Sequence, residues 1–115
     1  AKERQAFGRP IGSFQAIRHK IAMMATRTEA SRAFAYDTLR RFHEGEVVVR
    51  EVSMSKLDSQ RALVDIADEA IQIHGGYGYM REYEVERALR DARLGPIGGG
   101  TDEIMMEIIG KTYGL

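Results

Sequence analysis

The chain has no cysteine among its 115 residues, which excludes disulfides, Cys-ligated metals and a thiol nucleophile. Net charge is also missing, since 17 Lys and Arg offset 17 Asp and Glu. Without a basic excess, a nucleic-acid-binding role is set aside. No apolar run approaches the roughly 20 residues that span a bilayer, so a soluble protein without a membrane span is expected. Ala1–Gln5 carries charges with no apolar core behind them and does not read as a signal peptide. There are only two prolines, Pro10 and Pro96, both near glycine in segments that read as loops. What remains is 43% hydrophobic and 30% charged, which suits one globular domain and not a disordered tail.

Between the prolines the pattern is helical. From Phe14 the apolar or small positions Ile17, Ile21, Met24, Thr28, Ser31, Ala35, Leu39 and Phe42 recur at steps of three and four. That spacing predicts a helix of about 30 residues and roughly 45 Å, with Ser13 as N-cap and Gly45 as stop. A second helix is expected from about Val48 to His74, with Leu57, Gln60, Val64, Ala67, Ile71 and His74 along one stripe. A third should run from about Glu82 to Arg93, and a fourth from Thr101 through Ile104, Met105, Ile108 and Ile109. Val47–Val49 is the only β-like run and is too short to set the class. The expected fold is an all-α antiparallel helical bundle.

Two glycine-rich segments carry the functional signal. Gln72-Ile73-His74-Gly75-Gly76-Tyr77-Gly78 ends the second helix, where glycines let the backbone turn through φ > 0 and another group approach closely. Gly98-Gly99-Gly100-Thr101-Asp102-Glu103 opens the last helix and leaves N–H groups free for phosphate or another polar ligand. Locally, Gly75 and Gly76 are an ordinary helix stop, and Thr101 an N-cap followed by favourably placed acids. Near the start, Arg4-Gln5-Ala6-Phe7-Gly8 pairs a guanidinium able to fork onto a diphosphate with an aromatic ring.

Taken together and in this order, these segments resemble the C-terminal helical domain of the acyl-CoA dehydrogenases, over nearly the whole chain. Those flavoproteins desaturate acyl-CoA thioesters between the α and β carbons. The resemblance implies FAD as cofactor, acyl-CoA as substrate and an electron-accepting flavoprotein as partner. It also implies a tetramer for the intact enzyme, in the bacterial cytoplasm or the mitochondrial matrix. Arg4, Phe7 and Gln15 would contact the FAD of a neighbouring subunit, and Gln72, Gly75 and Gly76 its adenosine diphosphate. Thr101 and Glu103 would also reach FAD. Glu103 would do so through backbone or ribose, because its carboxylate repels a diphosphate. Only Ala1–Gln5 could remain of the family domain's first helix. That truncation would expose an apolar groove on the two long helices and drive a dimer or swapped oligomer.

The family's chemistry needs a carboxylate to take the α-proton. The position that carries this glutamate in many members is Gly99 here, which cannot accept a proton. Long-chain and isovaleryl-type members place the glutamate on the preceding long helix, so the base is expected upstream of Ala1. No catalytic residue is assigned within the chain. Gly99 and Gly100 would line the thioester end of the substrate. Glu82, Glu84 and Glu86 read as a solvated face, Arg90, Asp91 and Arg93 as a salt-bridge cluster, and His74 as structural. Met23, Met24, Met105 and Met106 read as core filler ahead of an acyl pocket. A non-catalytic interaction module would explain Gly99 but not the joint retention of the cofactor residues, and a flavin oxidase of the same superfamily is a further alternative.

Overall fold

A computed structural model describes all 115 residues. The chain opens with a minimal hairpin, β1 (Gln5–Ala6) and β2 (Arg9–Pro10), paired Gln5 to Pro10 and Ala6 to Arg9. After a single 3-10 turn at Ile11–Ser13 come α1 (Gln15–His43), α2 (Val49–His74), α3 (Gly76–Tyr79), α4 (Glu84–Ala92) and α5 (Asp102–Thr112). The all-α bundle expected from the periodicity is present, and the hairpin, the 3-10 turn and the one-turn α3 are additions to the four helices expected. Two-residue strands are too short for any alternation to register in sequence.

Of three helix ends expected from sequence, two follow the local chemistry and one does not. Gly45 takes φ +85° while the Glu46 N–H closes onto the Arg41 carbonyl at 3.1 Å, the glycine stop anticipated. Thr101 caps α5, its hydroxyl accepting from the Ile104 N–H at 3.3 Å. Ser13 does not cap α1. The 3-10 turn intervenes, its hydroxyl donates to the Pro10 carbonyl at 2.7 Å, and the N-cap position falls to Phe14.

Helices α1 and α2 run antiparallel. As the α1 position advances through Lys20, Arg27, Ser31 and Arg41, its partner on α2 falls through Glu69, Asp65, Asp58 and Glu51. The face of α1 turned to α2 is therefore polar in large part. It overlaps the expected apolar stripe at Ile17, Met24 and Ser31, which are half-buried, whereas Ile21, Leu39 and Phe42 stay 42%, 49% and 62% exposed. The periodicity locates a real apolar face that this chain covers only in part, and ion pairs stitch the contact beside it. The second helix is the hub against which α1, α3, α4 and α5 all pack, giving a body of 57 × 26 × 23 Å.

Small side chains fill the interior. Ala62, Ala67 and Ala92 are buried, with Val48, Ile11 and Met105, so α4 can lie close against α2. No large side chain is fully buried. Of the four methionines read as core filler, only Met105 is buried, while Met23 and Met106 are exposed.

The α1–α2 turn is held by charge. Buried Glu51 accepts from Arg50 at 2.7 Å and faces Arg41 at 3.3 Å, while the Arg50 guanidinium lies 5.7 Å from the Tyr113 ring at the far terminus. The Arg50 hydrogen bond, followed by a backbone N–H, holds the Glu51 carboxyl below its ordinary 4.5. A depressed pKa means this contribution is complete above that ordinary value and disappears as pH falls through the lower folded value. Thermal melts between pH 6 and pH 3 (roughly, the span around carboxylate titration) should show Glu51→Gln less stable at pH 6. The gap from wild type should narrow toward pH 3; a gap independent of pH contradicts the assignment.

Candidate functional site

The first cluster forms where the hairpin meets the end of α2. Phe7 and Gly8 are the two loop residues, with φ +51° and +77°, the signs a type I′ turn demands at both positions. A phenylalanine there is strained, yet its ring is 95% exposed and touches only the edge of Phe14, centroids 6.2 Å apart. The Arg9 guanidinium covers the Phe14 ring at 4.1 Å. Arg4 reaches across the fold to donate to the His74 carbonyl at the C-terminus of α2. This carbonyl is one of the groups a helix end leaves unpaired.

Gly75 makes that reach possible. Its φ and ψ of +61° and −140° lie where only glycine sits comfortably. A Cβ would also stand 2.5 Å from Arg4 Nη1. The group that approaches Gly75 closely is thus Arg4 itself. Arg4, Phe7, Phe14, Gln72 and Gly75 line one cavity of about 280 Å³. On the other side of Arg4 lies a second of about 650 Å³, lined by His74, Tyr77 and Tyr83 among others. Gln15 is exposed beside Phe14 and outside that lining. Gly76 begins α3 rather than continuing a stop; a Cβ there meets nothing within 4 Å. Of the glycines at 75, 76 and 78, only Gly75 has positive φ. His74 hydrogen-bonds the Ala70 carbonyl through Nδ1 at 2.7 Å, and no cluster of three metal-ligating side chains exists.

The second cluster is the loop entering α5. Gly99 and Gly100 take φ +63° and +96° in succession, and the N–H groups of Gly99, Gly100 and Thr101 donate to no atom of the chain. Consecutive free N–H groups of this kind suit an oxygen acceptor. Glu103 is exposed, its carboxyl held below the ordinary range by its own backbone N–H and then by the Thr101 hydroxyl. Asp102 is buried, salt-bridged to Arg61 of α2 at 2.7 Å. Lys56, also on α2, donates to the carbonyls of Gly95 and Gly100 at 3.1 and 2.6 Å.

The two clusters do not merge. Lys56 and Gln72 are sixteen residues apart on one helix, about 24 Å by the helical rise. Sequence reasoning missed Lys56, Arg61, Phe14, Tyr77 and Tyr83. Lys56 and Arg61 act through partners far along the chain, whereas Phe14, Tyr77 and Tyr83 meet partners nearby in sequence at spacings that no helix or strand period marks. Arg90 pairs with Glu86 at 2.8 Å, four residues back, and Asp91 with Arg87 at 3.3 Å. The expected cluster of Arg90, Asp91 and Arg93 is therefore replaced by two separate i,i+4 pairs, and Arg93 takes part in neither.

Comparison with known proteins places the chain in a family of helical domains. The family model for the acyl-CoA dehydrogenase C-terminal domain matches residues 1–114, and the chain belongs to that family. It is 48% identical over 111 residues to an acyl-CoA dehydrogenase of Bacillus subtilis, covering 96% of this chain and 29% of the relative. Among solved structures it matches a probable acyl-CoA dehydrogenase from Mycobacterium abscessus with TM-score 0.96 and 48% identity, over 98% of this chain and 30% of the other. It also matches PigA in complex with FAD, with TM-score 0.96 and 34% identity, over 100% and 30%. The chain spans about a third of the length of the relatives it matches.

Gly75→Ala should cost about 1–3 kcal/mol, by backbone strain and displacement of Arg4. A denaturant midpoint equal to that of wild type would show that neither constraint operates.

Proposed function

We propose that this chain is the FAD- and substrate-contacting C-terminal part of a flavin-dependent acyl-CoA dehydrogenase, one that desaturates acyl-CoA thioesters and passes electrons to an electron-transferring flavoprotein. The observation that carries the reading is the gathering of Arg4, Phe7, Gln72 and Gly75 at one end of α2, with unpaired N–H donors at the Gly99–Thr101 loop near the other. These residues fit the cofactor chemically. Arg4 has donors left over beyond His74 for a diphosphate, the Phe7 ring is bare, and the space over Gly76 is open.

In this reading Arg4, Phe7, Gln15, Gln72, Gly75 and Gly76 face the FAD of a neighbouring subunit, and Thr101 and Glu103 the FAD of their own. The separation along α2 supports that division. Glu103, ionised by its surroundings, turns toward ribose or leaves the contact to backbone, since its charge repels a diphosphate. When bound, FAD supplies the hydride-accepting chemistry. Gly99 and Gly100 give room to the thioester end of the substrate, and the proton goes to a carboxylate outside residues 1–115, as in the long-chain and isovaleryl types. No helix is long and apolar enough to cross a membrane, in keeping with a bacterial cytoplasmic or mitochondrial matrix enzyme.

The uncovered face at Ile21, Leu39 and Phe42 supports self-association: a dimer or swapped oligomer for this chain alone, a tetramer for the whole enzyme. Light scattering of the 115-residue chain at tens of micromolar (roughly, the range of weak association) should give more than the monomer mass. A clean monomer counts against it.

The full-length protein should purify with FAD and desaturate acyl-CoA; a folded protein that stays colourless with added FAD ends the proposal. Within it, Gly76→Val should weaken FAD binding by about tenfold or more without lowering the stability of the apoprotein, because nothing in the chain fills that space. Arg4→Ala should weaken it by a similar factor, the loss of about one charge-assisted hydrogen bond. Fluorescence titration of the flavin reads both.

A further inference from the structure

The loop entering α5 is held by three side chains of α2, and one of them has an unusual choice of partners. Lys20 and Arg27 pair with carboxylates across the seam. Lys56, half-buried, pairs with none, and both its hydrogen bonds go to backbone carbonyls, Gly95 at 3.1 Å and Gly100 at 2.6 Å. Those carbonyls lie at the two ends of the glycine loop, so one ammonium ties the loop closed. Gln60, one turn further along α2, packs directly against Gly95, and Arg61 anchors Asp102 just beyond.

The Gly100 carbonyl belongs to the same peptide group as the Thr101 N–H. A trans peptide is planar, with C=O and N–H pointing in opposite directions. A cation bound to that oxygen therefore fixes the plane and aims the N–H away from α2. It also draws electron density toward the oxygen and makes the N–H a stronger donor. That N–H has no acceptor in the chain.

We propose that Lys56 is a positioning residue for the site: it orients and polarises the Gly100–Thr101 peptide so that the Thr101 N–H meets a ligand oxygen. The oxygen belongs to a phosphate of the cofactor or to the carbonyl of the acyl thioester, and the proposal rests on the dehydrogenase reading above.

The test uses the full-length flavoenzyme with Lys56→Met, which keeps the unbranched stem of the side chain and removes the charge and donors, and Lys56→Arg, which keeps both at a displaced point. FAD affinity, kcat, KM and the melting temperature of the apoprotein are read together. For Lys56→Met either the FAD affinity or kcat/KM should fall by about tenfold or more, as small misplacements of a donor do. The apoprotein should melt within about 3 °C of wild type. Lys56→Arg should recover part of the loss. A change confined to FAD affinity assigns the oxygen to the cofactor; a change in kcat or KM with flavin retained assigns it to the substrate. The proposal is overturned if Lys56→Met lowers only the melting temperature and leaves binding and kinetics unaltered. Should that variant fail to fold, Lys56→Gln, which removes the charge and keeps a polar end, decides, and wild-type kinetics and FAD affinity there overturn the proposal equally. An unmodified enzyme without flavin or activity defeats the dehydrogenase reading, and this proposal with it.

Discussion

The unbroken hydrogen-bond ladder of α2 is the constraint on which the arrangement depends. Its C-terminal carbonyl at His74 receives Arg4, its Gly75 gives the guanidinium space, and its first half carries Lys56, Gln60 and Arg61 under the loop that opens α5. Because helical rise is fixed, the spacing of the two clusters is fixed as well. A kink or a slipped register would change both clusters and their separation at once. Nothing in Val49–His74 invites one: the segment has no proline and no glycine until its end.

The other long helix plays a different part. Its inward side is joined to α2 by ion pairs such as Lys20–Glu69 and by the Ser31–Asp58 hydrogen bond. Exposed pairs of this sort contribute little each, so they fix register and direction more than they stabilise. Its outward side keeps Ile21, Leu39 and Phe42 in solvent. A domain with few buried side chains, and those mainly small, gains limited apolar burial by itself. The chain fits best as one part of a larger folded body.

Much of this was legible in the sequence because it is local. Helix periodicity, the Gly45 stop, the Thr101 cap and the glycine clusters all depend on residues within a turn or two of one another, and each was placed within a residue or two. The choice of which α1 face meets α2 was not legible. Apolar spacing marks a face that wants covering but does not say what covers it, and Lys20 and Arg27 look like surface residues until Glu69 and Asp65 are brought opposite. Ser13 was misplaced because a 3-10 turn and a cap share the same residue preferences. Phe7 and Arg4 were found by motif, but the left-handed backbone of one and the helix-end docking of the other depend on the hairpin and on Gly75. Lys56 left no trace at all, its partners being 39 and 44 positions away.

The hairpin tip has one more consequence. A phenylalanine in an extended loop could swing through many orientations, and a partner docking on it would have to freeze that motion. Here the two-residue turn has already confined the backbone of Phe7 to a left-handed conformation, with the edge of Phe14 beside its ring and Arg9 covering Phe14. The backbone part of the conformational entropy was lost when the domain folded. A surface that lands on this ring therefore has only the side chain's rotamers left to freeze, and more of the contact's attraction appears as affinity than on an extended loop.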